Sequence, residues 1–334
     1  MFFGQNGIKL NRIFLKMEEN QKFILFITYD SWGYGKYITN ALEKKHHNVK
    51  YINFYSFRYK YPNIFYKTFN FITKNLGIAN LKYIHYNKII LNELQNIEKI
   101  DTSIYIKADF LSKKTIETIN KKSNKSVLVI YDSINRYPKT KNRLSLFDKI
   151  FSFEKKDCEK YNLIFKTNFI YSLPDEAPAH YEYKVFNVSS FDKRFPMIKK
   201  IAKALYEMKV KTKILIFTQK KQKFPYLEYI KNPLSISEMH QFLKQSEIML
   251  DVHRNRQQGL SFRVFESLGM KKKLITTNTD VVNYDFYNPQ NIFVIENINQ
   301  INIPNSFFET SYSEISENIL SKYLINNWVD ELMD

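Results

Sequence analysis

The sequence has very little cysteine and no long apolar run, and both absences exclude classes of protein. Its single cysteine, Cys158, cannot form a disulfide within the chain, which excludes a disulfide-stapled secreted scaffold and favours a reducing compartment. The most apolar run, residues 23–28, is flanked by Lys22 and Asp30 and is far shorter than the roughly 20 residues that a membrane-spanning helix needs. Residues 1–16 lack the apolar core and cleavage site of a signal peptide. We therefore expect a cytoplasmic protein that does not span a membrane.

Glycine is also scarce, and the pattern of the seven glycines excludes common nucleotide-binding motifs. No GxxxxGK[ST] sequence is present, which excludes a P-loop NTPase. Gly33 and Gly35 lie between a predicted strand and a predicted helix, but Ile38 occupies the position of the third glycine of the dinucleotide fingerprint. The sequence therefore argues against hydride transfer with a nicotinamide cofactor, and we predict no cofactor.

Motifs for metal binding and for serine hydrolysis are absent as well. None of the six histidines belongs to an HExxH sequence or to another metal-ligand spacing. No GxSxG sequence is present, which argues against a serine hydrolase of the α/β type. We predict no metal site.

Length and composition predict two globular domains. The chain has 334 residues, of which 44% are hydrophobic and 16% aromatic, so disorder is excluded as its main state. Single hydrophobic cores stop growing at roughly 250–300 residues, which favours two domains of about 150 residues each. Short β-branched or aromatic runs alternate with amphipathic helical stretches, and this alternation is typical of an α/β fold with parallel sheets.

The strand and helix patterns occur in two series that a proline-containing stretch separates. The predicted strands lie at residues 23–28, 49–54, 103–107, 126–131 and 149–153 in the first series and at 183–190, 213–218, 248–252 and 273–277 in the second. We predict two similar Rossmann-type domains and a C-terminal helical tail that packs back across their junction. The predicted boundaries are 1–21 for an N-terminal extension, 22–171 and 184–310 for the domains, 172–183 for the linker and 311–334 for the tail.

The chain is strongly basic, with 51 Lys and Arg residues against 33 Asp and Glu residues and a formal net charge of +18. Such a charge suits nucleic acid, an anionic membrane surface or acidic small molecules, and a solvated lysine-rich surface is the structural alternative. No zinc-finger, helix-turn-helix or RNA-binding motif is present, so we predict no nucleic-acid partner. Arginine is rarer, but Arg254, Arg256 and Arg263 fall within ten residues, and the guanidinium group suits phosphate.

The segment 250–278 combines the features of an anion-binding site. A buried strand is followed by the arginine-rich loop, Gly259 turns the chain, and Ser261 is placed to cap the next helix. Free N–H groups and the positive dipole end of such a helix attract phosphate. Glu266 lies three residues after Arg263, so both side chains can point to one side of the helix. A surface Arg–Glu pair is the structural alternative for these two residues.

The same segment resembles the nucleotide-sugar segment of the GT-B glycosyltransferases, specifically of the bacterial lipopolysaccharide-biosynthesis and spore-maturation-protein-like enzymes. The similar stretches of the second half are SEMHQFLKQ, SEIMLD, GLSFRVFE and KKLITTN. In the first half, IYIKADFLSKKTIETI and the block VIYDSINRYP with LFDKIFSFEKKDCEKY are similar to the same family. The resemblance covers most of residues 22–300. It implies two Rossmann-like domains that face a central cleft, with the nucleotide-sugar donor in the second domain and the acceptor in the first.

The resemblance also implies roles for individual residues of the second half. Glu266 corresponds to the carboxylate that holds the ribose of the nucleotide. Arg263, with the backbone at Gly259 and Leu260, corresponds to the diphosphate site. Further candidates for contacts with phosphate or base lie at the ends of the second domain's first two strands and are Ser189, Ser190, Phe217 and Thr218.

One departure from the family pattern leaves the stereochemistry of transfer open. Many retaining GT-B enzymes have a second glutamate eight positions before the ribose glutamate, and here that position is Gln258. Its amide can bind sugar hydroxyls but carries no charge. The resemblance implies no metal ion, because Arg254 and Arg256 can stabilise the leaving diphosphate.

Three residues are candidates for the catalytic group. Asp30 and Asp132 follow predicted parallel strands, so both lie at the sheet edge where open α/β sheets bind ligands. If the enzyme inverts, one of them, or Asp109 after another strand, can accept the proton of an acceptor hydroxyl, and Arg136 would lie beside Asp132. His253 lies between a strand end and the arginine-rich loop and can contact phosphate or sugar. The structural alternatives are a tight turn at Asp30, a capped turn at Asp132 and an ordinary loop histidine.

Together these features predict a glycosyltransferase that moves a sugar from a nucleotide-sugar to a surface polysaccharide, lipopolysaccharide or lipid-linked oligosaccharide. The positive surface would favour peripheral contact with anionic lipid at the inner face of the membrane. Two alternatives stay open. One is a nucleotide-sugar epimerase or hydrolase on the same fold, and the other is a basic nucleic-acid-binding protein.

Overall fold

The computed structural model describes residues 21–174, 180–219 and 223–334. The predicted N-terminal extension therefore lies outside the described residues, except for its last residue, and so does the middle of the predicted linker. No helix in these three ranges is long and apolar enough to cross a membrane.

The chain divides into two compact units. The first unit runs to Ser152 and also includes Asn162–Ile164 and Val329–Asp334. The second comprises Phe153–Tyr161 and Phe165–Trp328. The residues directly after Ser152 thus belong to the second unit, and the division lies earlier in the chain than the predicted linker.

Six strands form the sheet of the first unit, namely Phe23–Thr28 (β1), Asn48–Asn53 (β2), Ile100–Ile106 (β3), Ser123–Ile130 (β4), Lys149–Ser152 (β5) and Ile164–Phe165 (β6). Their order is β2-β1-β3-β4-β5-β6, and the pairs from β2 to β5 are parallel. β1, β3 and the second half of β4 are almost wholly buried, as expected of parallel strands covered on both faces. The five strands that the sequence predicts in this half are confirmed, whereas β6 has no predicted counterpart.

The helices of the first unit are Tyr34–Lys44 (α1), Ile64–Asn75 (α2), Leu81–Glu93 (α3), Lys113–Asn120 (α4) and Pro138–Lys141 (α5). The periodicity of the sequence predicts α1 and α4, but not α2 and α3. Both of these begin at an asparagine whose side chain accepts a hydrogen bond from the first turn, Asn63 for α2 and Asn80 for α3.

Six strands also form the sheet of the second unit, namely Tyr183–Ser190 (β7), Thr212–Phe217 (β8), Glu228–Ile230 (β9), Ser246–Asp251 (β10), Lys273–Thr276 (β11) and Ile292–Val294 (β12). They pair in parallel in the order β12-β11-β10-β7-β8-β9. The sequence predicts the four central strands, and the short edge strands β9 and β12 are found only in the structure.

The helices of the second unit are Lys155–Tyr161 (α6), Phe195–Glu207 (α7), Ile236–Lys244 (α8), Phe262–Gly269 (α9), Asn305–Glu309 (α10) and Glu317–Ser321 (α11), and Ile325–Met333 (α12) is divided between the units. Two apolar clusters cover the sheet. Met249 of β10 belongs to one cluster, while its neighbours Ile248 and Leu250 belong to the other. Successive side chains of a strand point to opposite faces, so each cluster lies on one face.

The predicted helical tail consists of two short helices, α11 and α12, with a break between them. At the break, Leu324 pairs with Ile170 in an isolated parallel bridge. The N–H of Ile170 donates to the carbonyl of Tyr323 at 2.7 Å, and the N–H of Ile325 donates to the carbonyl of Ile170 at 2.9 Å. This pairing with a distant segment holds the backbone at residues 323–324 out of a continuous helix.

Candidate active site

Each sheet has one point where the strand order reverses, and several of the candidate residues lie there. In the first unit the chain starts at β1 and later crosses to β3 on its other side. In the second unit it starts at β7, builds outward to β9, and then returns to β10 on the other side of β7. Open α/β sheets bind ligands beyond the carboxyl ends of the strands at such a reversal. The two candidate positions are therefore the ends of β1 and β3 and the ends of β7 and β10.

In the second unit, a buried aspartate attaches the N-terminus of α9 to the end of β10. Asp251, the last residue of β10, accepts hydrogen bonds from the hydroxyl of Ser261 at 2.8 Å and from that of Thr276 at 3.1 Å. The Ser261 hydroxyl in turn accepts a hydrogen bond from the N–H of Arg263 at 3.2 Å, so the predicted cap is confirmed. These bonds fix the positive end of the α9 dipole beside the strand ends.

Three arginine side chains converge on the same strand ends. Arg263 donates from Nη2 to the carbonyl of Val188 at 2.5 Å, near the end of β7. Arg194 donates from Nη1 to the carbonyl of Val252 at 3.3 Å, directly after β10. The third is Arg254, whose Nη2 lies 3.9 Å from the carboxylate of Asp192. The reversal point of the second sheet thus carries a concentration of positive charge.

The carboxylate of Asp192 lies among these arginines. Arg194 donates to it from Nε at 3.0 Å and from Nη2 at 2.9 Å. Burial alone would raise the pKa of Asp192, but the hydrogen bonds from Arg194 and the positive charge of Arg263 outweigh burial and lower it. Asp192 is therefore ionised at neutral pH and holds two of the arginine side chains in place.

The backbone turn at Gly259 has a partner within its own unit. The N–H groups of Gln258 and Gly259 both donate to Oε1 of Glu154, the former at 2.6 Å. Burial raises the pKa of Glu154, and the two N–H groups act in the opposite direction. The Gly259 N–H that the sequence assigns to a phosphate is thus occupied by a carboxylate of the protein, and a phosphate would have to displace Glu154 to reach it.

The carbonyl groups of this turn are hydrogen-bonded as well. The carbonyl of Gln258 accepts from the side chain of Asn278 at 3.0 Å, and that of Leu260 accepts from the side chain of Asn168 at 2.8 Å. Arg256, earlier in the loop, is exposed and has a φ of 66°, a conformation that costs a non-glycine residue free energy. The loop is therefore held in one conformation by contacts at several points.

Glu266 is buried on α9 and is part of a short chain of side chains. It accepts a hydrogen bond from the hydroxyl of Tyr171 at 2.6 Å. That hydroxyl also lies 3.1 Å from Nε2 of His240, and the two rings stack with centroids 5.4 Å apart. Arg263 and Glu266 therefore have different partners, Val188 for one and Tyr171 for the other, although they lie one helical turn apart.

The other predicted contact residues lie along the same edge. Ser189 and Ser190 end β7, and Ser190 pairs in register with Phe217 at the end of β8, directly before Thr218. The hydroxyl of Ser189 is buried and has no hydrogen-bond partner among the described residues. His253 follows β10, and its Nδ1 lies 2.7 Å from the hydroxyl of Thr277. Burial lowers the pKa of His253, so its imidazole is mainly neutral at pH 7.

In the first unit, Asp30 has the contacts of a residue that closes a turn. Its carboxylate accepts hydrogen bonds from the N–H groups of Trp32 at 2.9 Å, Gly33 at 2.8 Å and Gly35 at 2.6 Å. Gly33 has a φ of 99°, which favours glycine at this position. These contacts agree with the tight-turn alternative, and a catalytic role for Asp30 stays a prediction.

Asp132 and Asp109 lie at the ends of neighbouring strands and line one small cavity. Arg136 donates from Nη1 to Asp132 at 2.8 Å, as the sequence predicts. Burial raises the pKa of Asp109 to about 6, against the opposing effects of Lys107 and Arg143. A carboxyl group with that pKa is well suited to accept a proton near neutral pH, and this makes Asp109 a better candidate than the sequence alone indicates.

Comparison with known proteins identifies the fold. No family model matches the chain, and no curated protein matches it in sequence. A UDP-forming α,α-trehalose-phosphate synthase from Burkholderia xenovorans is 8% identical with a TM-score of 0.52, covering 94% of this chain and 98% of that chain. The UDP-GlcNAc 2-epimerase of Methanocaldococcus jannaschii is 12% identical with a TM-score of 0.48, covering 93% and 99% of the respective chains. The likeness to the synthase shows a GT-B fold of two Rossmann-like domains.

The sequence contains a signal for some residues of the candidate site and none for others. Glu154 comes two residues after the strand KIFS, and Asp30 and Asp132 have the same position relative to their strands. Asp192 and Arg194 carry no motif, and Tyr171 lies in an irregular stretch far from α9 in the chain. Within the described residues no group of three or more His, Cys, Asp or Glu side chains is arranged to hold a metal ion.

Proposed function

We propose that this protein is a glycosyltransferase of the kind found in bacterial lipopolysaccharide biosynthesis and among spore-maturation-protein-like enzymes. It transfers a sugar from a nucleotide-sugar to a surface polysaccharide, a lipopolysaccharide or a lipid-linked oligosaccharide, in the cytoplasm and without a metal ion. The GT-B fold agrees with this proposal but does not decide it, since one fold supports many reactions.

The observation that carries the proposal is the group of arginines at the reversal point of the second sheet. Arg194, Arg254 and Arg263 lie beside the N-terminus of α9, so guanidinium groups and a helix dipole act on one region. A diphosphate needs this kind of environment when it leaves as an anion, because fixed positive charges stabilise the developing charge without a metal. The unpartnered hydroxyl of Ser189 is a further hydrogen-bonding group at the same edge.

For the acceptor we propose the first unit, at the ends of β3 and β4. Asp132 and Asp109 are the candidate bases there. Asp132 is already paired with Arg136. The pKa of Asp109 at about 6 leaves this carboxyl largely ionised at pH 7 and still able to take up a proton.

We expect Arg263→Ala and Glu266→Ala each to weaken nucleotide binding at least tenfold, about 1.4 kcal/mol. The Arg263→Ala variant would lose a charge-assisted contact with the diphosphate. The Glu266→Ala variant would lose the acceptor for the ribose hydroxyls. Isothermal titration calorimetry with UDP, GDP, ADP and CMP measures the affinities and shows which nucleotide binds.

The matched control is Arg58→Ala, which removes the same charge from an exposed position of the first unit and should leave the affinity unchanged. Unfolding temperatures of all variants show whether the fold survives. Unaltered affinity in both site variants would refute the assignment of the site. Consumption of the donor without any acceptor would favour an epimerase or a hydrolase over a transferase.

A further inference from the structure

A long segment of the first unit contains basic residues but no acidic ones. Between Lys44 and Asn92 there are nine lysine and arginine residues and no aspartate or glutamate. The segment includes α2, α3 and the connections on either side of them. A stretch of this length that carries only positive charges produces a positive local electrostatic potential, whatever the net charge of the rest of the chain.

Helix α2, in the middle of this segment, has the opposite orientation from an ordinary surface helix. Its two buried residues are polar, Asn70 at 6% exposure and Thr73 at 7%. Its large apolar side chains face solvent, with Phe65 at 78% exposure as the extreme case. The exposed apolar side chains of α2 and the turn after it are Ile64, Phe65, Tyr66, Phe69, Phe71, Ile72, Leu76 and Ile78, which we call the α2 patch. A soluble protein rarely exposes so many neighbouring apolar side chains without a binding partner.

Specific hydrogen bonds hold α2 in this orientation. The side chain of Asn70 donates to the hydroxyl of Tyr61 at 2.8 Å and accepts from the N–H of Leu81 at 2.7 Å. The hydroxyl of Thr73 is satisfied within the helix, where it donates to the carbonyl of Phe69 at 2.9 Å. Rotation of the helix to bury its apolar face would break both Asn70 bonds and leave the Tyr61 hydroxyl and the Leu81 N–H without these partners, which costs free energy. The exposure of the α2 patch is therefore a property of the folded unit.

Basic side chains are interspersed with the apolar side chains of the patch. Lys67 and Lys74 lie on α2 itself, and Arg58, Lys60 and Lys82 lie on the neighbouring segments, all of them exposed. Lysine and arginine can keep their charged ends in the headgroup layer while their apolar stems lie against hydrocarbon. A helix with apolar side chains and surrounding basic ones is the typical form of an element that lies in a membrane interface.

We propose that the α2 patch docks the protein on an anionic lipid bilayer. The apolar side chains enter the boundary between headgroups and acyl chains, and the basic side chains bind anionic headgroups. A second copy of the chain is a poor occupant, because two such patches would bring like charges together. This docking does not depend on the proposed donor site, which lies in the second unit.

The test is co-sedimentation of the full chain with vesicles of phosphatidylcholine alone and of phosphatidylcholine with phosphatidylglycerol. We expect binding to the anionic vesicles, weaker binding at high salt, and at least tenfold weaker binding of the double variant Phe65→Ser/Phe71→Ser. A charge variant, Lys67→Glu/Lys74→Glu, should lose binding to a similar degree. Both pairs are exposed in the folded protein, so neither should impair folding.

Matched controls make the same changes in the second unit. Tyr206→Ser/Val282→Ser replaces exposed apolar residues, and Lys200→Glu/Lys203→Glu reverses exposed charges; both should bind vesicles like the unaltered protein. Failure of the unaltered protein to bind anionic vesicles, or equal loss in the controls, would overturn the proposal. So would a dimer in solution that the Phe65→Ser/Phe71→Ser variant dissociates. Nucleotide affinity of the same variants is measured in parallel and should not change, so the two proposals fail separately.

Discussion

Replacement of Gly259 by alanine is expected to lower the free energy of unfolding by about 3 kcal/mol. A Cβ built on this residue would lie 2.5 Å from the carbonyl oxygen of Phe153 and still closer to the Phe153 ring. Neither neighbour can move aside easily, since one is backbone and the other is a ring in a packed environment. Movement of Gly259 itself would break its hydrogen bond to Glu154. Equilibrium unfolding in urea, monitored by tryptophan fluorescence and circular dichroism, measures the change.

The matched control for this prediction is Gly77→Ala. A Cβ at Gly77 would meet no atom within 4 Å, but the residue has a φ of 72°, so the cost is that of a left-handed conformation, about 1 kcal/mol. The two variants separate steric overlap from backbone strain. A loss at Gly259 no larger than the loss at Gly77 would show that the turn has room to adjust.

Asp109→Asn is expected to raise the free energy of unfolding by roughly 2–3 kcal/mol at pH 8. Burial raises the pKa of Asp109 to about 6 from an ordinary value of 3.8, so the folded state holds this proton more tightly than the unfolded state does. The stability contributed by the protonated carboxyl is therefore complete below about pH 4, falls as the pH rises towards 6, and is lost above that. Asparagine has no proton to lose, and the variant should lack this decline.

The measurement is urea unfolding of both proteins at several pH values between 4 and 8. The difference between variant and unaltered protein should be small at pH 4 and should reach its full size above pH 6. Asp132→Asn is the matched control, since this carboxylate is partly exposed and paired with Arg136, and its loss should change stability by less than about 1 kcal/mol. A difference at Asp109 that is the same at every pH would contradict the argument. A substitution that stabilises the fold by removing a buried carboxyl is also typical of a position that serves function rather than stability.

Local sequence patterns predict the central strands of both sheets correctly. β1, β4 and β10 each contain a buried apolar run, ILFI, VLVI and IML, that differs from its surroundings. The short edge strands β6, β9 and β12 lack that contrast, because an edge strand of two or three residues buries little. They form only because a neighbouring strand offers hydrogen-bonding groups.

Helix α2 shows why hydrophobic periodicity fails to predict some helices. Its apolar residues face solvent and its buried residues are Asn70 and Thr73, whereas the argument assumes that apolar residues face the core. The same assumption predicts a helical tail over residues 311–334 but not the break within it. The break depends on the pairing of Ile170 with Leu324, which lie more than 150 residues apart in the chain. Contacts at such distances in the chain leave no local signal.

For the candidate site, the sequence by itself determined the α/β class, the two-domain organisation, the Ser261 cap and the position of the arginines after β10, because each follows from residues close together in the chain. Only the tertiary structure decided that Glu154 occupies the N–H groups of Gln258 and Gly259, that Tyr171 binds Glu266, and that Arg194 joins the other arginines. These contacts join residues that strand pairing brings together, and burial shifts the pKa of Asp109 and Glu154 for the same reason. Which polar groups remain open to a ligand depends on partners that lie far away in the chain.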